Sequence, residues 1–351
     1  MDLLPFCPTD GLAESYPDYK SIGSFASQNL FIPTRFMLGE MYLWRNEYTL
    51  AANIYYQLIY TEKLVVLNFN NTWNSTQTGY ITQWPNLFSN LAVKEQLAYI
   101  GYTSEYANNT TLSTLASATV YKIAPSAVAV NNWESQTYSI TNAQTLSGDL
   151  RGRNGSYANF SKLNELNDRE DFVRINKYSY MTDYTTLCRT SLVYLRYAEA
   201  LNRMGKPTMA FVFLKYGLNK DKLELYAPKE LKTAEAFIDF GQVSSAKNTI
   251  FASNYGMRAR GCGGVDLNNS FRIPADITDS IAWVEDQLVT ELALETAFEG
   301  NRFNDLMRIS EHRADPTYLA AKVSAKFSDT RKNVIFNRLS TKSKWYLPSE
   351  E

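Results

Sequence analysis

The residues best suited to chemistry are three glutamates, Glu291, Glu295 and Glu299, which recur every four residues. Paired carboxylates hydrolyse glycosidic bonds when they flank the bond, whereas neighbouring turns of one helix place all three on one side. Three carboxylates cannot share a low-dielectric interior unless cations neutralise them. The spacing therefore predicts an ion-paired helix edge, and we expect Arg302 or Arg308 to fold back and neutralise part of it.

Other residues with catalytic potential are few. The only histidine, His312, lies in a charged stretch and is predicted to be on the surface. The chain has no G-x-S-x-G or H-E-x-x-H motif, and Cys7, Cys188 and Cys262 lack metal-binding or redox spacing. Whether two of them pair in an oxidising compartment is left open. We therefore expect a protein that is not an enzyme and that has no cofactor and no metal site.

Composition narrows the classes of partner. With 35 basic and 36 acidic residues the net charge is -1, so no charge excess favours nucleic acid or an anionic membrane surface. No run reaches the roughly 18 apolar residues of a membrane span. The 24 tyrosines, 18 phenylalanines and six tryptophans are numerous. Most should fill the core, but this content also suits a surface that presents rings to an uncharged polar ligand.

The three glutamates belong to an amphipathic helix. Val284, Leu288 and Leu292 share its apolar side, and Thr278 is a plausible cap at its start. Gly300 follows the last glutamate, at a position where a helix would end or bend. A second apolar helix is expected to begin near Phe303.

Two other segments, residues 36–60 and 193–218, each read as a pair of helices joined by a short turn. At a constant offset, Glu40 falls on Glu199 and Asn46 falls on Gly205. Such a repeated helical hairpin is typical of tetratricopeptide units. Alone, it would favour a module that binds other proteins.

Residues 68–89 combine aromatic and amide side chains without helical periodicity and are predicted to form a long loop. Sugars present flat apolar faces and hydroxyl groups, so their sites combine aromatic rings with hydrogen-bonding side chains. The candidate ligand-contact residues are Trp73, Tyr80 and Trp84 in this segment, and Trp133 farther along the chain. The alternative is that the loop covers the core.

Several blocks of this sequence resemble the SusD/RagB family of outer-membrane nutrient-binding lipoproteins of Bacteroidetes. The C-terminal block carries Glu291, Glu295, Ala297-Phe298-Glu299-Gly300, Arg302-Phe303, Asp305-Leu306 and Arg308, and the others are Asp149-Leu150-Arg151, Leu195 to Arg203, Arg258-Ala259-Arg260 and Lys344 to Glu350. The chain has Leu292 and Asn301 where the family usually has Arg and His. The Asp149 and Arg151 pair is expected to brace the fold rather than to bind a ligand.

The resemblance implies a mainly α, SusD-like fold with tetratricopeptide-type hairpins, minor β structure and a loop-rich ligand-binding face. It implies a single domain over residues 1–351, with an N-terminally shortened part at 30–190 and a C-terminal part at 191–351. The implied function is non-catalytic binding of an extracellular oligosaccharide and its delivery to a SusC-like TonB-dependent transporter. In the family, the helical hairpins pack on that transporter.

The resemblance also implies a lipid-anchored protein on the extracellular face of the outer membrane. Cys7 lacks the apolar segment that precedes an acylated cysteine, so we expect membrane contact only through an anchor absent from this chain. Two alternatives stay open. A RagB-like member would bind peptides with the same fold and partner, whereas an intracellular tetratricopeptide scaffold would bind the tail of another protein.

Overall fold

The computed structural model describes residues 21–22, 25–26, 29–30, 32–66, 84, 87–88, 95–102, 115–116, 122–141, 144–163, 166–180, 184–218, 220–233, 256–262 and 271–346. Within these ranges the chain is mainly helical, as predicted. The α-helices are α1 (Thr34–Trp44), α2 (Tyr48–Thr61), α3 (Ala127–Glu134), α4 (Thr190–Arg203), α5 (Pro207–Tyr216), α6 (Lys220–Tyr226), α7 (Pro228–Leu231), α8 (Met257–Cys262), α9 (Ser280–Glu295), α10 (Arg302–His312), α11 (Pro316–Ser324) and α12 (Arg331–Leu339).

The strands form short antiparallel pairs. They are β1 (Ser21–Ile22) with β2 (Phe25–Ala26), β3 (Gln96–Gly101) with β8 (Tyr184–Arg189), β4 (Thr137–Thr141) with β5 (Gln144–Ser147), and β6 (Tyr157–Leu163) with β7 (Arg169–Ile175). The stretch Arg174 to Tyr180, which reads as one strand in the sequence, is instead the end of β7 followed by a 3-10 turn at Lys177–Tyr180. The pairing of β3 with β8 places Gln96 opposite Arg189.

Both predicted helical hairpins are confirmed as helix pairs, α1 with α2 and α4 with α5, and α2 packs against α4. Their turns use the aligned positions Asn46 and Gly205, which both have positive φ, 63° and 78°. Glycine and asparagine tolerate this conformation better than other residues. A Cβ at Gly39 would lie 2.5 Å from the Tyr55 ring, so glycine allows α1 and α2 to approach closely.

The apolar sides of α9 and of the two hairpins form the largest core. Val284, Leu288 and Leu292 of α9 are buried there, as their spacing predicts. The helix begins after Asp279, whose carboxylate accepts a hydrogen bond from the Ala282 amide at 2.9 Å, and not at the expected cap Thr278. It ends at Glu295, four residues before the predicted end.

Two positive-φ residues, Phe298 (67°) and Gly300 (84°), separate α9 from α10. This turn redirects the chain, so that α10, α11 and α12 form a separate C-terminal core with Trp345. The indole Nε1 of Trp345 donates to the Leu339 carbonyl at 2.6 Å. No helix among the described residues is both long enough and apolar enough to cross a membrane.

Candidate functional site

The three glutamates at the C-terminal end of α9 lie in a buried group of charges that we call the central ion-pair cluster. Its acidic members come from three segments of the chain, and the cations that neutralise them come from four. The members are Glu95, Asp149, Arg151, Lys177, Arg189, Arg258, Arg260, Glu291, Glu295 and Glu299. The cluster therefore joins elements that are far apart in sequence.

Arg151 occupies the middle of the cluster, and its side chain is fully buried. Its Nε and Nη2 atoms donate to the two carboxylate oxygens of Asp149 at 2.9 and 2.8 Å, a bidentate arrangement. Its Nη1 donates to Glu295 Oε2 at 2.9 Å and to Glu291 Oε1. A Cβ at Gly261 would lie 2.0 Å from Asp149 Oδ2, so only glycine leaves room for this pair.

Glu295 receives hydrogen bonds from three arginines: Arg151, Arg260 at 2.7 Å and Arg189 at 3.2 Å. Burial alone would raise the pKa of Glu295, but the guanidinium groups of Arg260, Arg189 and Arg151 hold this pKa well below its ordinary value. The carboxylate therefore stays ionised at neutral pH, and it cannot serve as a proton donor.

Glu299 lies beyond the end of α9 but still inside the cluster. Lys177 Nζ donates to Glu299 Oε1 at 2.6 Å, and Arg189 Nη2 donates to the same oxygen at 2.8 Å. Lys177 also donates to the Ala297 carbonyl at 3.0 Å. Burial lowers the pKa of Lys177 to about 8, although Glu299 acts in the opposite direction.

The expectation that Arg302 or Arg308 would neutralise these glutamates is wrong. Arg302 Nη1 donates to the carbonyl of Val289 at 2.8 Å, and Arg308 binds Glu199 of α4 through two hydrogen bonds of 2.8 and 2.7 Å. The turn at residues 296–301 carries α10 toward the helical hairpins, so both arginines point away from the end of α9.

Arg308 belongs to a second buried group, which we call the hairpin cluster. It contains Glu40 of α1, Arg196 and Glu199 of α4, and Asp305, Arg308 and His312 of α10. The His312 side chain is only 1% exposed, so its predicted surface position is wrong. Its Nε2 lies 3.1 Å from the Leu43 carbonyl, at the C-terminal end of α1.

The central ion-pair cluster is closed to solvent. Its carboxylates are buried and engaged by arginines or lysine. The Asp149 and Arg151 pair therefore braces the fold, as the sequence predicts. Within the described ranges, no group of three histidine, cysteine, aspartate or glutamate side chains is placed to hold a metal ion.

The predicted ligand-contact residues are not brought together on a surface. Trp73 and Tyr80 lie outside the described residues. Trp84 is 0% exposed and Trp133 is 1% exposed, so neither ring presents a face to solvent. The structure thus corrects the prediction for these two tryptophans, which pack in the interior and offer no stacking surface.

Their surroundings explain this burial. Trp84 Nε1 donates to Ser156 Oγ at 3.2 Å, and the Trp84 ring meets Phe88 edge to face. Trp133 packs between Tyr157 and Phe298 with ring-centroid distances of 5.6 and 5.8 Å. Each tryptophan adjoins a glycine that has no side chain to displace it.

Those glycines, Gly152 and Gly155, were the available signal in the sequence. A Cβ at Gly155 would lie 2.8 Å from Trp84 Cδ1, and a Cβ at Gly152 would lie 2.8 Å from the Cβ of Trp133. Two glycines that follow the braced Asp149 to Arg151 segment indicate close packing of large groups. Sequence spacing alone does not reveal which groups those are.

One open depression lies between the turns of the two helical hairpins. It has a volume of 430 Å3 and is lined by Asn46, Glu47, Tyr48, Thr49, Leu50, Met204 and Lys206. Beside it, the outer side of α1 exposes three apolar side chains, Met37, Met41 and Trp44, at 49%, 51% and 37%. A helix that is apolar on two sides usually packs against another surface on both sides.

Comparison with known proteins finds no matching family model, no matching curated protein and no matching solved structure.

Proposed function

We propose that this protein is a non-catalytic, SusD-like binding protein that captures an extracellular oligosaccharide and delivers it to a SusC-like TonB-dependent transporter. In this proposal the full-length precursor is lipid-anchored on the extracellular face of the outer membrane. The helical hairpins provide a rigid scaffold, and the ligand site lies on a loop-rich face.

The observation that carries the proposal is the convergence of the family-like blocks. Asp149 and Arg151, Arg258 and Arg260, and the glutamates of α9 are far apart in sequence, yet they meet in the central ion-pair cluster. Unrelated chance matches would have no reason to contact one another. Their convergence therefore supports the interpretation that these blocks belong to one fold pattern.

The proposed ligand contacts are reduced to Trp73 and Tyr80. Trp84 and Trp133 are covered by protein atoms, so a sugar ring could not stack on either without a rearrangement. Trp84 instead packs in the interior, where its Nε1 donates to Ser156 Oγ.

The proposed transporter-facing surface is the outer side of α1. Met37, Met41 and Trp44 are spaced four and three residues apart and form one apolar stripe. Such spacing suits packing against another helix or an apolar groove. The flexible methionine side chains adapt to an irregular partner surface.

Two alternatives use the same features. A RagB-like member would bind a peptide through backbone hydrogen bonds and would depend little on Trp73 or Tyr80. An intracellular tetratricopeptide scaffold would use the α1 stripe and the depression between the hairpin turns to grip another protein.

The test is a binding screen of the purified protein against soluble polysaccharides and mixed peptides. The same screen is repeated on Trp73→Ala, Tyr80→Ala and the control Tyr346→Ala, which removes an exposed ring far along the chain. Losing a stacking ring costs about 1 to 3 kcal/mol where bases stack on aromatic side chains, so either candidate variant should weaken glycan binding about tenfold or more.

The control should retain the parent affinity. Peptide binding that is insensitive to both candidate variants would favour the RagB-like alternative. Binding of neither ligand class by a folded protein would contradict nutrient capture and would favour the scaffold alternative.

A further inference from the structure

The C-terminal helices carry a concentration of positive charge that the net charge of the chain conceals. Between residues 322 and 346 there are seven basic residues and one acidic residue, Asp329, although the whole chain has 35 and 36. The seven are Lys322, Lys326, Arg331, Lys332, Arg338, Lys342 and Lys344. Acidic residues return at Glu350 and Glu351, which lie outside the described residues.

All seven basic residues are exposed. Leu319, Ala320 and Leu339 pack with Trp345 in the C-terminal core. Lys322, Arg331 and Arg338 lie on the other side of these helices, and Lys332 is exposed in the first turn of α12. We call this exposed side, including the 3-10 turn at Lys342–Lys344, the basic face.

Most of this charge is not neutralised by neighbouring residues. Arg331 pairs with Asp329 at 2.7 Å, and Lys342 pairs with Glu311 at 2.6 Å. Lys332, Arg338 and Lys344 form no ion pair with any residue that the structure describes.

We propose that the basic face binds an anionic lipid surface. Each Lys or Arg near such a surface contributes roughly a fivefold factor in affinity at low salt. The proposal does not depend on sugar capture or on the transporter. It does assign to the folded chain a membrane contact additional to any lipid anchor, and stable peripheral attachment generally takes two such signals.

Two exposed side chains with apolar surface favour a lipid surface over a nucleic acid as the partner of the basic face. Val334 is 66% exposed and Tyr346 is 56% exposed, and both lie among the basic residues. Tyrosine and small apolar groups are suited to the level of the lipid head groups, where one end is apolar and the other is wet. A nucleic-acid site would instead be expected to offer several aromatic rings for stacking.

The excess of acidic residues in the rest of the chain favours a planar partner for the basic face. Outside residues 322–346 the acidic residues outnumber the basic ones, because seven of the 35 basic residues but one of the 36 acidic residues lie within this segment. A planar surface contacts only one side of a folded protein, and charges farther away than a Debye length, about 10 Å at 0.1 M salt, act on it weakly. A long flexible polyanion would meet the acidic remainder as well.

The experiment is cosedimentation of the whole chain with vesicles of 30% phosphatidylglycerol in phosphatidylcholine, compared with vesicles of phosphatidylcholine alone. The test variant is the double change Arg338→Gln and Lys344→Gln. The control is Lys229→Gln with Arg272→Gln, which removes the same charge from exposed positions outside α11 and α12. None of the four substitutions alters a described ion pair, so all variants should keep the parent thermal midpoint.

We expect binding to the anionic vesicles only, with loss of binding as NaCl rises from 0.05 to 0.5 M. The test variant should bind about thirtyfold more weakly, and the control should stay within about twofold of the parent. Equal binding to both kinds of vesicle, or equal binding by the test variant, would overturn the proposal. Retention on single-stranded DNA or heparin without vesicle binding would also overturn it.

Discussion

Arg151 and Glu295 are 144 positions apart in sequence, and a hydrogen bond of 2.9 Å joins them in the interior. Arg151 lies in the segment that follows β5, and Glu295 is the last residue of α9. Their contact couples the small antiparallel hairpins to the helical core. The end of α9 is therefore fixed by charge pairing, whereas its middle is fixed by apolar packing.

Removing Arg151 should strongly destabilise the fold. Arg151→Ala leaves Asp149, Glu291 and part of Glu295 without their shared cation in a buried place, and breaking a buried pair typically costs about 3 to 5 kcal/mol. The measurement is urea unfolding at pH 7. The matched control is Arg153→Ala, two residues away.

Arg153 pairs with Glu134 at 2.9 Å, but its side chain is 60% exposed. Exposed pairs contribute about 0 to 1 kcal/mol, so Arg153→Ala should shift the urea midpoint only slightly. If the two variants lost similar stability, the central ion-pair cluster would not act as a buried charge network.

Part of this arrangement could be predicted from the sequence. The four-residue spacing of the glutamates predicts a paired helix edge, and apolar periodicity gives both helical hairpins and the buried side of α9. The identities of the partners could not be predicted, since Arg302 and Arg308 are the nearest arginines after the glutamates in sequence. The positive-φ turn at Phe298 and Gly300 redirects both toward other contacts.

The aromatic residues show a different limit of prediction from sequence. Trp84 has polar neighbours in sequence, which predict a loop, yet its indole is buried and donates to Ser156, 72 positions farther along the chain. Local composition cannot report contacts across such distances. The net charge of -1 likewise averages over the chain and hides the basic face at 322–346.

The close approach of Gly155 to Trp84 gives a packing prediction. Gly155→Ala should destabilise the protein by about 1 to 3 kcal/mol, because the new methyl group would lie 2.8 Å from the indole. Shortening the partner with Trp84→Phe should relieve part of this clash. The double variant should then lose less stability than the sum of the two single changes.

The control for that coupling is Gly155→Ala combined with Leu319→Ala. Leu319 is fully buried in the C-terminal core, away from Trp84, so its effect should add to that of Gly155→Ala within about 0.5 kcal/mol. Simple additivity for the Gly155 and Trp84 pair as well would contradict the contact. Urea unfolding curves of the variants, with their midpoints and slopes, supply the required free energies.

The turn between α9 and α10 gives a prediction about the backbone alone. Gly300 has φ 84°, and a Cβ built there meets nothing within 4 Å. Gly300→Ala should therefore cost about 1 kcal/mol through backbone strain without a steric clash. The reverse change, Ala314→Gly at φ 50°, should raise the free energy of unfolding by up to about 1 kcal/mol. A neutral Gly300→Ala would show that the turn is not held in this conformation.

His312 makes stability depend on pH in a defined window. Burial lowers the pKa of the His312 imidazole to about 4, with the charges of Arg203 and Arg308 acting in the same direction and Glu199 opposing them. Its Nε2 carries the proton if it donates to the Leu43 carbonyl at 3.1 Å. Tyr48 meets the ring edge to face with a centroid distance of 5.5 Å, so the imidazole is enclosed by α1, α2, α4 and α10.

The direction in which stability changes with pH follows from how many protons the folded and unfolded states bind. In the unfolded chain the imidazole becomes protonated below its pKa of about 6.5. In the folded protein it stays neutral until the pH falls to about 4. The contribution of His312 to the free energy of unfolding is therefore fully present above about pH 6.5, and it is lost as the pH decreases toward 4. Between pH 7 and 5.5 we expect a loss of about 1 kcal/mol in the free energy of unfolding, measured by urea titration. Carboxylates contribute little there, because they stay ionised in both states above about pH 5.

His312 is the only histidine, so His312→Gln, which keeps a donor for Leu43, should remove this loss. Parallel pH profiles for parent and variant would show that His312 is protonated equally in both states.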